Sequence, residues 1–586
     1  MNHSPNGHDR DHFSCRHRAD HFSCRHLLWY KDGRFARHPF FKFIVHNMIN
    51  RHRALNKSNF IVKQNLGEDH YTVEELRKKI AAGDTAILKM IMHFTGDLRG
   101  TPQYWAQRHS ELRALIDYQV YEKKGLPAFF ATGSCAEFHW KPLRELLRKY
   151  IQLTGSLEQT GDLDNKNVMF KVLQENAHIV GHYFDLRTQS YFENVMKPVF
   201  GVTTYWYRQE FAKSRGMIHW HGLCWRNDME PSKTLHQCLE GGFDNVEAAF
   251  PVSEWAETEY ALTAIHPAGN DESGQPRKDL WAPPEGIAPA PPEEDNPLRK
   301  LYHEQCVDDE KTVEDHIRIV NRTHLHRCSD YCLRKPAIPG GMRVCRMGFG
   351  SDREPGLPAH ADPKITVDMN GCHRLEMPRN HPFMVQHSRY HAQAWRANGD
   401  ISIILPSSDP VNPSMRDIMS VQKYVSGYAC KGSPPTGAAL DLVQDMLSAV
   451  DDKDEITGKL LCNKVLMNAV WRDVSAIETC YELSSLPLYR CSATFQRVSL
   501  SGCRQLERDG ILLTKSSVID KYSTRPKEAE SCSLYGFFRH ARQSTSGYRH
   551  IFSRFLASGR RILSSPATIA LARMARCPIQ RHQIAK

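Results

Sequence analysis

An α+β fold is what two hydrophobic patterns in this chain predict. Helix-period segments recur between residues 71 and 196 and again between 414 and 474. Between them, two β-branched and aromatic runs, GVTTYWYRQEF (201–211) and MIHWHGLCW (217–225), flank the polar turn AKSRG. The composition fits a globular protein: 586 residues, 41% hydrophobic and 24% charged, suit several domains or one large one with insertions.

In chain order, residues 1–38 hold a short tandem repeat, DHFSCRH at 11–17 and 20–26, read as a disordered His/Cys-rich segment. Residues 39–125 form an N-terminal helical region. Tyr71 to Phe94 reads as a helix with Thr72 at its N-cap and Glu75 completing a capping box, and Leu112 to Tyr121 as a second helix. Residues 126–266 open the core. LPAFFAT (126–132) is a buried strand, Trp140 to Leu153 a helix with Pro142 in its first turn, and Asn165 to Phe184 and Thr188 to Met196 further helices before the strand pair.

The Pro- and Gly-rich stretch 267–311 is a linker, and a Cys/His segment spans 312–360. Residues 361–435 complete the core with a strand at Ile401–Leu405 and a helix from Ser414 to Lys431. Residues 436–539 are helical, at 441–450 and 459–474, and 540–586 form a basic tail. Lysine and arginine total 77 against 66 acids, a formal charge of +11 that suits a polyanionic partner. No window is apolar enough for a membrane span, and no secretory leader opens the chain. The 17 cysteines therefore read as metal ligands or buried thiols in a reducing compartment rather than as disulfides.

His219-Trp220-His221 carries the chemistry. Residues two apart on a strand face the same side, so two imidazoles at this spacing can share one ion while the tryptophan packs the other way. Glu210, just before the turn, can cross the hairpin to join them. Such a mixed N/O set suits Mn²⁺ or Mg²⁺ more than closed structural zinc. In VQKYVSGYACKG, Tyr424 and Tyr428 lie four apart on one helix face, with Lys423 and Lys431 nearby. A phenolic oxygen can attack phosphorus and conserve the bond energy as phosphotyrosine. Taken singly, each pattern has an ordinary structural reading: a His-rich chain with chance triplets, or a helix burying two aromatics. His326, Cys328, Cys332 and Cys345 have the spacing of a structural zinc site. His324 is an alternative to His326, and Cys306 is a spare ligand.

Together and in this order the motifs resemble the Rep domain of Helitron and Helentron transposases, members of the HUH endonuclease superfamily, from about Pro39 to Arg539. The blocks are FFATGSCAEFHW (129–140), YWYRQEFAKSRGMIHWHGLCW (205–225), VNRTHLHRCSDYCL with CRMGF (320–333, 345–349), RNHPFMVQHSRYHAQAWRANGDISIIL (379–405), KYVSGYACKG (423–432), and SSLPLYRCS with KYSTRP (484–492, 521–526). The resemblance implies a ferredoxin-like antiparallel sheet with helices on one face, the paired histidines on a central strand and the tyrosine helix across from them.

It also implies His219 and His221, with Glu210, as ligands of Mg²⁺ or Mn²⁺, and Tyr424 and Tyr428 as nucleophiles. Zn²⁺ would sit at His326, Cys328, Cys332 and Cys345. The partner would be single-stranded DNA at transposon ends and target, contacted by candidates Lys423, Lys431, Arg396 and Arg215, in the nucleus and with no membrane. Ile218 stands where the family usually has proline, and Gly427 interrupts the tyrosine helix. Family members continue into a superfamily 1 helicase. No G-x-x-x-x-G-K-[ST] loop occurs here, so the chain reads as a truncated copy, its helicase or full-length element supplied in trans.

Overall fold

In the computed structural model, described residues run from 26 to 585 with gaps. The longer gaps are 79–97, 227–248, 274–309, 429–454, 458–473 and 538–580. The elements that position the site are, in chain order, α1 (Phe41–Ile61), α2 (Pro102–Tyr121), β1 (Phe129–Ser134), α3 (Lys141–Leu153), α4 (Lys166–Glu175), α5 (Ala177–Tyr191), β2 (Val202–Phe211), β3 (Ile218–Arg226), α6 (Ala249–Tyr260), α7 (Glu310–Thr323), α8 (Arg389–Trp395), β4 (Gly399–Ile403), α9 (Met415–Tyr428), α10 (Ala476–Leu483) and β5 (Tyr489–Cys491). The five strands form one sheet in the order β5-β2-β3-β1-β4, with every neighbouring pair antiparallel. The class is mixed α+β, and β3, which bears the paired histidines, is the central strand.

Strand alternation divides the sheet into two faces. Ile218, Trp220 and Cys224 of β3, Phe129 and Ala131 of β1, Tyr207 of β2 and Ile401 of β4 are buried in the main core. There they meet Leu143, Leu147 and Ile151 of α3, Met169 and Val172 of α4, and Ile179, Phe184 and Tyr191 of α5. On the other face Phe130, Trp206, Leu223 and Trp225 pack under Leu112, Leu115 and Ile116 of α2 and Val421 of α9. The main helical layer thus lies on one face, and two flanking helices cover one end of the other.

Local signals explain several boundaries. Thr101 caps α2, its side chain accepting from the Tyr104 N–H, and Pro102 occupies the first turn. Asn165 caps α4 in the same way. The helix expected from Asn165 to Phe184 is broken at Asn176, whose side-chain amide donates to the Val172 carbonyl at 2.9 Å, and α5 starts again at Ala177. The helix expected from Tyr71 does not begin there. His70–Thr72 is a strand paired with Glu455–Thr457, and most of 73–97 lies outside the described residues. The helices expected at 441–450 and 459–474 and the repeat in 1–25 also lie outside them.

Gly133 of β1 is required by packing. A Cβ there would lie 2.5 Å from Trp220 Nε1 and 2.8 Å from Trp395 Cε2, so only glycine lets the two indoles close beneath the strand. Trp395 Nε1 then donates to the Ser134 carbonyl at 2.8 Å. Edge strand β5 is held by Asp185, which accepts from the Tyr481 hydroxyl at 2.9 Å and pairs with Arg490 at 3.0 Å. No helix among the described residues is long and apolar enough to cross a membrane.

Candidate metal centre

The β2–β3 hairpin sets the site by register. Glu210 stands opposite His219 and Arg208 opposite His221. On the other side of β3, Ser134 of β1 stands opposite His219 and Thr132 opposite His221. Directly opposed residues share a face, so the site lies on the face of Phe130, Leu223 and Trp225, against which α2 and α9 also pack.

His221 Nε2 lies 3.1 Å and His219 Nε2 3.6 Å from the same Glu210 oxygen. One ligand atom from each of the three lies within 4.8 Å of the others. The His221 ring stacks on Phe130, with centroids 5.7 Å apart at 17°, which limits its rotation. Trp220 between them is fully buried on the opposite face.

Burial alone would raise the Glu210 carboxyl. Hydrogen bonds from His219 and His221 and the charge of Arg208 outweigh it and hold the group well below the usual carboxylate range. Burial lowers the His221 imidazole, and its hydrogen bond to Glu210 offsets part of that effect. A depressed carboxylate beside a neutral imidazole is the protonation state in which this set binds a cation. The side chains keep 24%, 16% and 31% exposure at His219, His221 and Glu210, so an ion held by two nitrogens and one oxygen would retain positions open to solvent or substrate.

A second group of donors sits on the Cys/His segment. His326, Cys328, Cys332 and Cys345 bring one ligand atom each within 4.8 Å of one another, and Cys345 Sγ is 3.3 Å from His326 Nε2. Tetrahedral zinc with bonds of about 2.3 Å to sulfur asks for donor separations of about 3.8 Å, so three thiols and one imidazole fit it. Gly350, at φ 68°, makes the turn after Cys345. A Cβ there would meet the Glu354 carbonyl oxygen at 2.2 Å. His324 does not belong to this set: it is buried, and its Nε2 donates to the Gly399 carbonyl at 3.2 Å, tying the segment to the start of β4. Cys306 lies outside the described residues.

Helix α9 packs through Ile418 and Val421 on the site face, and its Gln422 donates to Asp117 of α2 at 2.8 Å. The backbone of this helix includes Tyr424 and Tyr428. Their side chains, and all of Lys431 and Arg215, lie outside the described residues. Lys423 is exposed. Arg396 is a correction: it does not face a DNA path but forms a buried ion pair with Asp315 of α7 at 2.6 Å, because it closes α8 in the left-handed conformation and turns inward.

Residues 23–224 match the family model described as the Helitron helicase-like domain at N-terminus. Over those residues the chain is similar to the Helitron helicase-like N-terminal domain. This domain contains β1, β2 and nearly all of β3, and with them Glu210, His219 and His221. β4, α9 and β5 follow the matched part of the chain in sequence but share its sheet and its two cores, whereas the Cys/His cluster forms a small core of its own. No curated protein matches the chain. Sequence reasoning passed over Arg208, Ser134 and Thr132 as members of the site face. The signal for Arg208 was its place two residues before Glu210 on one strand.

Proposed function

We propose that this chain is a metal-dependent endonuclease and strand transferase of a Helitron-type rolling-circle element, acting on single-stranded DNA. The observation that carries the reading is the convergence of Glu210, His219 and His221 on the sheet face against which the tyrosine-bearing helix α9 packs. A divalent cation at the triad, Mg²⁺ or Mn²⁺, supplies Lewis-acid polarisation of a phosphoryl oxygen. Glu210 contributes the single negative charge, and the two imidazoles hold the cation without neutralising it. The Tyr424 or Tyr428 oxygen forms a bond to phosphorus as the bond to the 3′-oxygen breaks. The phenolic proton is lost to solvent and the 3′-oxygen takes one up, leaving a 5′-phosphotyrosine and a free 3′-hydroxyl. The second tyrosine provides for a second transfer. Zn²⁺ at His326, Cys328, Cys332 and Cys345 staples the segment that reaches β4, and Lys423 lies on the exposed side of α9. The substrate class implies work in the nucleus.

Incubation of the purified chain with single-stranded oligonucleotides and Mn²⁺ should give a covalent species on a denaturing gel. Changing Tyr424 and Tyr428 together to Phe should abolish it while leaving DNA binding, and His219→Ala should abolish it by removing a ligand. DNA binding without any adduct from the unaltered chain would favour a non-cutting remnant and refute the nuclease reading.

A further inference from the structure

The face that bears the triad continues past it to the edge of the sheet. Thr132 of β1 stands opposite His221, and Asp400 of β4 stands opposite Thr132, so Asp400 shares the ligands' face. Two strand spacings put its backbone about 10 Å from that of His221. Its carboxylate does not belong to the donor set that converges within 4.8 Å. Between the two lies a floor of hydroxyls: Ser134 and Thr132 of β1 and Ser402 of β4 are partly exposed, as is Asp400. Toward the other edge the row of His221 is closed, since Arg208 is only 5% exposed and its guanidinium lies 4.0 Å from the Trp105 ring centroid. A DNA strand held at the triad therefore meets accessible polar surface on the β1–β4 side. The carboxylate there is braced, with Ser402 Oγ donating to its Oδ2 at 2.6 Å. Burial raises the Asp400 carboxyl, and the Ser402 hydrogen bond and the Arg374 charge oppose that shift.

We propose that Asp400 is the specificity-determining residue of a nucleobase subsite beside the triad, and that the base it takes is guanine. The proposal rests on the single-stranded DNA reading above but not on its cleavage step. An ionised carboxylate offers acceptors only, so it has no donor for a phosphate oxygen and suits a base that donates. Single strands present their pairing edges to a protein. On that edge guanine alone carries two adjacent N–H donors, at N1 and N2, spaced for the two oxygens of one carboxylate. Adenine and cytosine offer one amino group beside an acceptor nitrogen, and thymine one N–H between two carbonyls. Each of those edges sets a lone pair against the carboxylate. The Ser402 hydroxyl restrains the carboxylate from rotating and still leaves lone pairs on both oxygens.

The test reads binding, so that it stands apart from cleavage. The full chain with Tyr424→Phe and Tyr428→Phe, which forms no adduct, is titrated in Mn²⁺ against a short fluorescent oligothymidylate. The same oligonucleotide is then used with one central guanine, hypoxanthine, adenine or cytosine, and anisotropy gives each affinity. The guanine version should bind about tenfold more tightly than plain oligothymidylate. Hypoxanthine, which lacks the N2 amino group, should lose most of that gain, and this comparison needs no change at Asp400. Asp400→Asn keeps the shape and an acceptor for Ser402, and it should remove most of guanine's advantage. Equal affinity for guanine and hypoxanthine, or a guanine advantage that survives Asp400→Asn, overturns the inference. If no oligonucleotide binds, the DNA reading falls and the subsite with it. Guanine preference in a chain whose unaltered form makes no adduct would refute the nuclease chemistry and uphold the subsite.

Discussion

At the residue scale, the triad is held from beneath as much as from beside. His219 and His221 are aimed by the tryptophan between them, and Trp220 in turn rests on the space that Gly133 leaves empty. Gly133→Ala should therefore do two things. Its new methyl would crowd Trp220 and Trp395, costing about 1–3 kcal/mol of stability. It should also weaken Mn²⁺ binding, because Trp220 cannot move without turning its neighbours on the strand. Urea unfolding and a Mn²⁺ titration check both, and an unchanged midpoint would contradict the packing argument. The two histidines were legible because their spacing matches the strand period. Glu210 was legible because a short polar turn folds its strand back. Arg396 was misread because its partner, Asp315, is 81 residues away in sequence, and no local pattern announces such a pairing.

At the element scale, the hairpin and α2 follow from local chemistry, whereas the break at Asn176 does not. A single asparagine inside a helical run is tolerated as often as it interrupts, and only its bond back to Val172 decides. The strand at His70–Thr72 was hidden for a similar reason: its partner lies near residue 456. The Cys/His segment shows the opposite case, four candidate ligands of two types close together in sequence. It gives a clean expectation. The purified chain should carry one equivalent of zinc by elemental analysis, and Cys332→Ser should lose it. The same change should raise protease sensitivity around residues 324–360, since the three wholly buried members of its core are Cys332, Cys345 and Phe349, two of them candidate ligands. Full zinc content in the variant would refute the ligand assignment.

At the scale of the whole molecule, neutral histidines are built into the interior. Burial pushes His178 and His324 down to about 3 and His391 to about 4. His391 Nε2 donates to the Thr132 carbonyl at 2.9 Å, and its other nitrogen meets the Tyr191 hydroxyl. In the unfolded chain such groups titrate near 6.5. Above that pH neither state is protonated, and stability is complete. Below it the unfolded chain takes up protons that the native one refuses, so each buried histidine removes about 1.4 kcal/mol per pH unit until the pH reaches its folded value. Melting temperature should be level from pH 8 to 7 and fall steeply from 6.5 to 5. A flat profile across that lower range would show that these imidazoles are not held neutral.

The order of strands carries a lesson for anyone who would trim this protein. The stretch shared with the Helitron family ends inside β3, yet the two outermost strands of the sheet arrive some 175 and 265 residues later, at Gly399 and Tyr489. Cut at the family boundary, β1 and β2 would each expose a bare row of peptide groups, an invitation to stick to the next copy. The candidate metal ligands lie in the first half of the chain, but the sheet on which they stand is finished only by strands from its second half.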